Sequence, residues 1–600
     1  MPRVLHILDS VAAARDLLAR SANVGDLELL STHYSVVSYL GERGIACRDC
    51  TDFLSVDAAG AALREASSEL DERLARLDYT LGARMCEAAG LPRLAMFHAS
   101  FKYLAQYNLA GRWCLERVIK ERLAESAAVV FHHALDTSTD PVFSFVDAAR
   151  RVCEERGVPF SDVPVPSAGS ARQAGLARRL PLMLGRALQS PGWAAKRARE
   201  QIIRWMRRSP GIEGDAPVVL LFEPHGESFF ESALADSGVH MIHIGRDGVI
   251  AGTERFRSAA CTGAARMAAV LEEWLRAQPV VAENDLERRW VAVVGSNLPW
   301  LEALCLAHHA LQSRNISAAA WDRPLTTRPP LNLIVELFLS SDIPVLGRQH
   351  GANYGDQKLG AIHFDADFNR CTHYFSYGFG PREFAMAYPG ARHRCAFIPA
   401  GHPPPVVSNQ RRPVDIAFPI MNSVPLFYLA RIPESELVRR QKGILRAMEA
   451  RRDLQCVVKP PPGFGPDTFA HTEALTALRH VRLEHGTWTH YLARWQPRLV
   501  VFESASTPLL EVLPLDVDIF LMLDPLFPFT EAALSMLRQR AHVFETLEEL
   551  LDAIRRYGLE PVARLRDTAY YDTYANRGSA AAVAQALLRT RIPAALQGTP

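Results

Sequence analysis

The densest run of residues able to handle a phosphate or a sugar is Glu503-Ser-Ala-Ser-Thr-Pro-Leu-Leu-Glu511. It follows the apolar stretch RLVVF, so Glu503 is expected to end a strand, as a further catalytic candidate, and Ser504, Ser506 and Thr507 to fill the following turn. Hydroxyls and free backbone N–H groups at a helix start can hold phosphate or ribose. Pro508 suits the first helical turn. Glu511 then falls one turn further in, within reach of sugar hydroxyls. The same residues would also serve as helix caps without a ligand.

His350 ends the apolar run IPVLGRQ and precedes Gly351. An imidazole so placed can act as a general base or polarise a leaving phosphate; the alternative is a histidine bonded within its turn. Lys459 ends QCVVK and is expected to neutralise phosphate charge. His485-Gly486 ends the next run, and Asn422-Ser423 follow VDIAFPI, where a first βα turn approaches phosphates. Glu223, His225 and Glu227 follow the apolar PVVLLF, offering two carboxylates and a histidine for activating an acceptor, with Glu227 as the catalytic alternative to His350. Thr32-His33 and Ser296-Asn297 are read as further strand ends and acceptor contacts. Asp365-Ala-Asp367 matches a DxD metal motif, but two oxygen ligands do not make a metal site, and no metal or cofactor is expected. There is no GxxxxGK[ST] phosphate loop.

The elements that must position these residues are short aliphatic runs alternating with helical patterns. They include 3–8, 27–33, 127–133, 217–226, 239–245 and 291–297, then 343–351, 372–378, 395–401, 414–420, 456–461, 480–486, 498–504 and 517–523. Continuous apolar strands of this kind belong to parallel sheets covered on both faces. The expected class is α/β, doubly wound. At 600 residues, more than one core is required. GHPPPVVSNQRRP (401–413) reads as the hinge. The expected domains are an N-terminal region over 1–405 with an insertion near 164–213, a nucleotide-binding domain over 412–560 and a helical tail over 561–600.

Net charge is +1, with 22% charged and 48% hydrophobic residues, which leaves no global field to attract nucleic acid. Ten scattered cysteines, with one lone CxxC at Cys47 and Cys50, fit a reduced cytoplasmic protein rather than a zinc site. The N-terminus lacks the pattern of a signal peptide. No apolar run reaches the ~18 residues of a membrane span. Between Arg172 and Arg208 stand ten Lys or Arg and one acid, Glu200, interleaved with Trp193, Trp205 and leucines. Such a segment can lie on an anionic membrane at its inner face. The competing reading is a connector packed on the first domain.

VFESASTPLLEVLPLDVDIFLML resembles the donor-binding segment of GT-B glycosyltransferases, in many of which two glutamates eight positions apart flank a small-residue turn. The resemblance implies a GT-B-like pair of Rossmann-like domains facing a cleft. It also implies that Glu511 binds ribose or sugar hydroxyls and that Ser506 and Thr507 bind phosphate. IPVLGRQHGANYGDQKLGAIHFDADFNRCTHYFSYG is similar to the end of the N-terminal domain in bacterial surface-polysaccharide transferases, UDP-sugar 2-epimerases and teichoic-acid polyol-phosphate transferases. What the two likenesses imply is metal-independent sugar transfer from a nucleotide-sugar to a cell-surface or lipid-linked glycan. The rival readings are a 2-epimerase, a polyol-phosphate transferase and a non-catalytic assembly partner.

Overall fold

The structure is a computed structural model. It describes residues 3–21, 23–122, 126–134, 145–165, 218–222, 228–234, 239–245, 248, 250, 253–278, 285–322, 325, 329–352, 354–358, 367–389, 395–402, 412–421, 433–460 and 478–576. The basic segment 172–208 and the hinge residues 403–411 lie outside them, as do Glu223, His225, Glu227, Asp365, Asn422 and Ser423.

Among the described residues the strands form three parallel sheets. The first joins β1 (Arg3–Leu8), β2 (Glu28–Ser31), β3 (Arg48–Asp49), β4 (Ser126–Ala134) and β5 (Phe160–Val165) in the order β3-β2-β1-β4-β5. The middle sheet comprises β6 (Val218–Phe222), β7 (His240–Ile244), β8 (Ile316–Trp321), β9 (Val345–Arg348), β10 (His373–Ser376) and β11 (Ala396–Pro399), ordered β11-β10-β9-β8-β6-β7. The last holds β12 (Arg412–Pro419), β13 (Cys456–Lys459), β14 (Val481–Leu483), β15 (Trp495–Phe502), β16 (Asp518–Met522) and β17 (His542–Phe544), ordered β14-β13-β12-β15-β16-β17. The 1–405 region therefore contains two separate sheets. The middle and last sheets share one continuous core as two α/β halves, and the first sheet is an additional unit.

The apolar runs explain the strands. Leu499, Val500, Val501 and Phe502 are all fully buried, as a parallel strand covered on both faces requires. One face of the last sheet packs Ile416, Phe418 and Val501 against Ile444 and Met448 of the Glu434–Ala450 helix and Leu550 and Ile554 of the Leu547–Arg556 helix. Its other face shares one continuous core with the middle sheet.

Two runs behave differently from their reading. VAVVGSN (291–297) was expected as a strand, but the chain is helical over Asp285–Ser296, and Asn297 precedes the next helix. Short apolar runs do not separate buried helix from buried strand. Trp290, Val291 and Val294, with helical spacing, are buried in the core. Conversely, the alanine-rich ISAAAW (Ile316–Trp321) forms β8, paired between β6 and β9.

The last two halves are fastened by backbone. Gln357 and Phe529 form an antiparallel bridge, Lys358 N–H donates to Pro528 O (2.9 Å) and Thr530 N–H to Asp356 O (2.8 Å). The Ala569–Tyr574 helix, the last among the described residues, crosses back to the middle half, where Tyr570 OH donates to Asp356 Oδ2 at 2.5 Å. Gly378 lies so close to it that a Cβ would sit 2.5 Å from Thr573 O. The first sheet docks on the start of the Glu434–Ala450 helix: Tyr34 N–H donates to Glu434 Oε2 (2.9 Å) and Thr51 Oγ1 to Ser435 Oγ (2.8 Å).

Candidate active site

In an open parallel sheet a ligand binds beyond the carboxyl ends of the strands, where the strand order reverses. In the last sheet that point lies between β12 and β15. Glu503, directly after β15, spans it: its Oε1 accepts from Met421 N–H (2.7 Å), just beyond β12, and from Gln441 Nε2 (3.0 Å). Glu503 is fully buried, so the catalytic role expected for it gives way to a structural one, tying two strand ends together. Ser504, expected to contact phosphate, is also buried and donates to Asp524 Oδ2 (2.5 Å). Small polar residues at a strand end read the same whether they face a ligand or a buried carboxylate.

Burial raises the Glu503 carboxyl from 4.5 to about 7, with the nearby Asp524 charge adding to the effect. A folded-state value above the unfolded one stabilises at low pH. The contribution is complete below about pH 4.5 and is lost as pH climbs through 7. Glu503→Gln should therefore flatten the stability profile across that window. The wild type should lose roughly 3 kcal/mol there relative to the variant, because each pKa unit is worth about 1.4 kcal/mol. Urea melts of both proteins from pH 5 to 7.5 test this, and parallel profiles would refute it.

Of the donor-side candidates, Ser506, Thr507 and Glu511 are partly exposed at this edge, and Lys459 lies buried beside them. Lys459 ends β13 and donates to Pro460 O at 2.5 Å. Burial pulls its ammonium pKa down, and the Glu511 charge opposes this. Burial likewise raises the Glu511 carboxyl, countered by a hydrogen bond from Thr489 Oγ1 (3.0 Å) and by Lys459. The two charges sense each other without closing to an ion pair, a gap that polar groups of a ligand can enter. Ser506 caps the Thr507–Val512 helix with extended backbone and no side-chain cap bond, leaving its hydroxyl unspent on the helix start. His485 is exposed, and Gly486 beside it has φ +110°, a conformation that favours glycine.

Across the cleft, the turn after β9 meets this helix. Ala352 N–H donates to Thr507 Oγ1 at 3.4 Å, and a Cβ on Gly351 would stand 3.3 Å from the same oxygen. The carboxyl edges of the two halves thus meet at Gly351 and Thr507. Gln349, buried, braces the turn by donating to Gly351 O (2.7 Å) and accepting from Tyr377 N–H (2.7 Å). His350 projects between these fixed neighbours with a third of its side chain exposed. Behind it stands Asp367, with no exposed surface, 3.8 Å from Nδ1 and accepting from Tyr354 OH at 2.8 Å. Tyr354 OH also lies 3.3 Å from His350 Nδ1.

The sequence reading treated Asp367 only as half of a DxD motif. Its side chain is spent on Tyr354 and faces His350. The signal was available as a buried acid 17 positions beyond the histidine, but only the fold brings the two together. Ser296 and Asn297 take no part in this edge: their side chains both donate to Val293 O, closing the helix. His33, at the end of β2, lies instead against Glu434 (3.3 Å) in the junction with the first sheet, and burial lowers its pKa to about 4.

No protein-family model and no curated protein matches the sequence. Among solved structures, the chain is similar to the spinosyn rhamnosyltransferase SpnG (13% identity, 62% of this chain and 100% of that one, TM-score 0.34). It is also similar to the glycosyltransferase SnogD from Streptomyces nogalater (14%, 62% and 99%, TM-score 0.32) and to TarM (9%, 49% and 57%, TM-score 0.28). The residue placements above rest on the geometry of this chain alone.

Proposed function

We propose that this protein is a glycosyltransferase that moves a sugar from a nucleotide-activated donor to a glycan or lipid-linked acceptor of the cell surface. The observation that carries the reading is the meeting of two carboxyl edges at Gly351 and Thr507, with His350 on one side and Lys459 and Glu511 on the other. One side offers a cation at a strand end and a carboxylate on the Thr507–Val512 helix, suited to phosphate and to ribose or sugar hydroxyls. The other offers an imidazole backed by a buried carboxylate, suited to taking a proton from an acceptor hydroxyl. Positive charge from Lys459 and from backbone N–H groups supplies what leaving-phosphate stabilisation needs without a metal. The likeness of 343–404 supports a bacterial surface-polysaccharide setting, the scattered cysteines a cytoplasmic residence, and the composition of 172–208 a contact with an anionic membrane.

A thermal-shift screen across UDP-, GDP-, CDP- and CMP-linked compounds tests the donor half, since a ligand that binds only the native state raises its stability. Lys459→Ala and Glu511→Ala should each weaken the nucleotide that binds by roughly 1.5–3 kcal/mol, the worth of a hydrogen bond to a charged group. Calorimetry showing wild-type affinity in both folded variants would move the donor site elsewhere.

A further inference from the structure

The middle sheet has its own reversal point, between β6 and β8. Around it stand a cation and an acid that the proposal above does not use. Arg348 is the last residue of β9; its guanidinium carbon lies 4.1 Å from the centre of the Phe229 ring and 5.9 Å from that of Tyr377. Among the described residues it makes no hydrogen bond and no ion pair, and its Nε is buried without a partner. Asp322, directly after β8, accepts from Ser228 Oγ at 2.5 Å through Oδ2 and is also stabilised by the Phe229 backbone N–H, while among the described residues its buried Oδ1 has acceptor capacity to spare. Arg348 and Asp322 sense each other's charge but do not join.

A guanidinium pinned on an aromatic face keeps its fork of donors aligned. Its Nε, buried without a hydrogen-bond partner among the described residues, carries a desolvation cost that the ring offsets only in part, while the half-buried guanidinium stays open to a ligand. What satisfies such a group is an oxyanion that accepts two parallel N–H bonds. An acid with acceptor capacity to spare beside it suits a donor hydroxyl. We infer that this edge is an acceptor subsite, in which Arg348 grips a phosphate or carboxylate and Asp322 accepts a hydroxyl of the same ligand. The acceptor is then an acidic sugar or a sugar phosphate rather than a neutral sugar. The assignment to the acceptor rests on the reading of the opposite edge as the donor side.

The probes are glucose 6-phosphate, glucuronate and glucose, with the nucleotide that stabilises the wild type as a fourth arm, all read by calorimetry on the full chain. The two anions should bind, glucose should not, and Arg348→Gln should weaken the anions roughly 10- to 100-fold while nucleotide affinity holds. Arg348→Lys keeps the charge but loses the fork, so it should lie between the two; it also serves if the glutamine variant is unstable. Equal binding of glucose and its phosphate, or unchanged anion affinity in both variants, overturns the subsite. If Arg348→Gln loses nucleotide affinity and leaves the sugar anions untouched, the anion gripped is the donor's phosphate and the acceptor assignment falls. A nucleotide screen that fails while the sugar anions bind would refute the donor reading alone.

Discussion

His350→Ala should reduce sugar transfer by roughly 10²–10⁴-fold, the usual worth of a positioned general acid or base. The position of His350 comes from three separate constraints. β9 brings the chain to the carboxyl edge, Gln349 clamps the turn from both sides, and Gly351 lets the backbone pass within contact of Thr507. Asp367, fully buried at 3.8 Å from Nδ1, is placed to stabilise the imidazolium formed when the ring takes a proton, and Tyr354 holds that carboxylate. If this is the arrangement used, donor affinity should barely change in His350→Ala, because the loss is felt in the transition state. Asp367→Asn should cost less than the histidine itself, and its effect should appear in turnover more than in KM. A histidine that served only the turn would give another pattern: a lower melting temperature, with activity falling in step with the folded fraction. Wild-type turnover in a stable His350→Ala variant would remove the residue from the chemistry. Suspicion would then pass to Glu227, which lies outside the described residues.

The two likenesses in the sequence cover the segments that fold into the facing edges, and this is where sequence reading went furthest. The apolar runs locate β9, β12, β13, β15 and β16, because a strand buried on both faces must be written in continuous aliphatic residues. It also places His350 just beyond β9, Lys459 at the end of β13, and Thr507 and Glu511 on the helix after β15, since strand ends and helix starts have their own composition. What it could not see was which polar group looks inward. Glu503 and Glu511 read alike eight positions apart, yet Glu503 is sealed beneath Met421 and Gln441 while Glu511 sits at the edge. Nor could it assign long-range partners. Asp367 behind His350, and Asp322 beside Arg348, are set by the strand order β10-β9-β8, which no local pattern encodes. The separate first sheet was hidden for a further reason: its β3 is only two residues long and its β5, FSDVPV, is half exposed and broken by Ser161, Asp162 and Pro164, so neither carries the buried-strand signature.

The largest stability effect is expected at a residue that touches no ligand. Asp524→Ala should destabilise the fold by roughly 3–5 kcal/mol, because it takes one of two carboxylates from a buried cation and an acceptor from a buried hydroxyl. Arg440, on the Glu434–Ala450 helix, is 2% exposed, and its Nη1 reaches both Glu503 O (2.8 Å) and Asp524 Oδ1 (3.4 Å). Asp524, 3% exposed, also takes the Ser504 hydroxyl at 2.5 Å. Removing the carboxylate leaves the guanidinium with Glu436, which is partly open to solvent, and leaves the serine hydroxyl only the long contact to Ala505 O at 3.4 Å. Asp524→Asn keeps an oxygen in place and should cost clearly less. The double variant Arg440→Met with Asp524→Leu should be milder than the sum of its parts, since neither charge is then left alone in the core. Urea melts give all four free energies, and an Asp524→Ala loss within about 0.5 kcal/mol of zero would mean the pair is not coupled. The consequence reaches the site through one residue: the Glu503 carbonyl is held by Arg440, and its side chain holds Met421 at the mouth of the strand reversal. Loosening that link should weaken nucleotide binding even where the protein remains folded. Asp524→Ala should therefore lose affinity at temperatures well below its own melting point, which a purely global destabilisation would not produce.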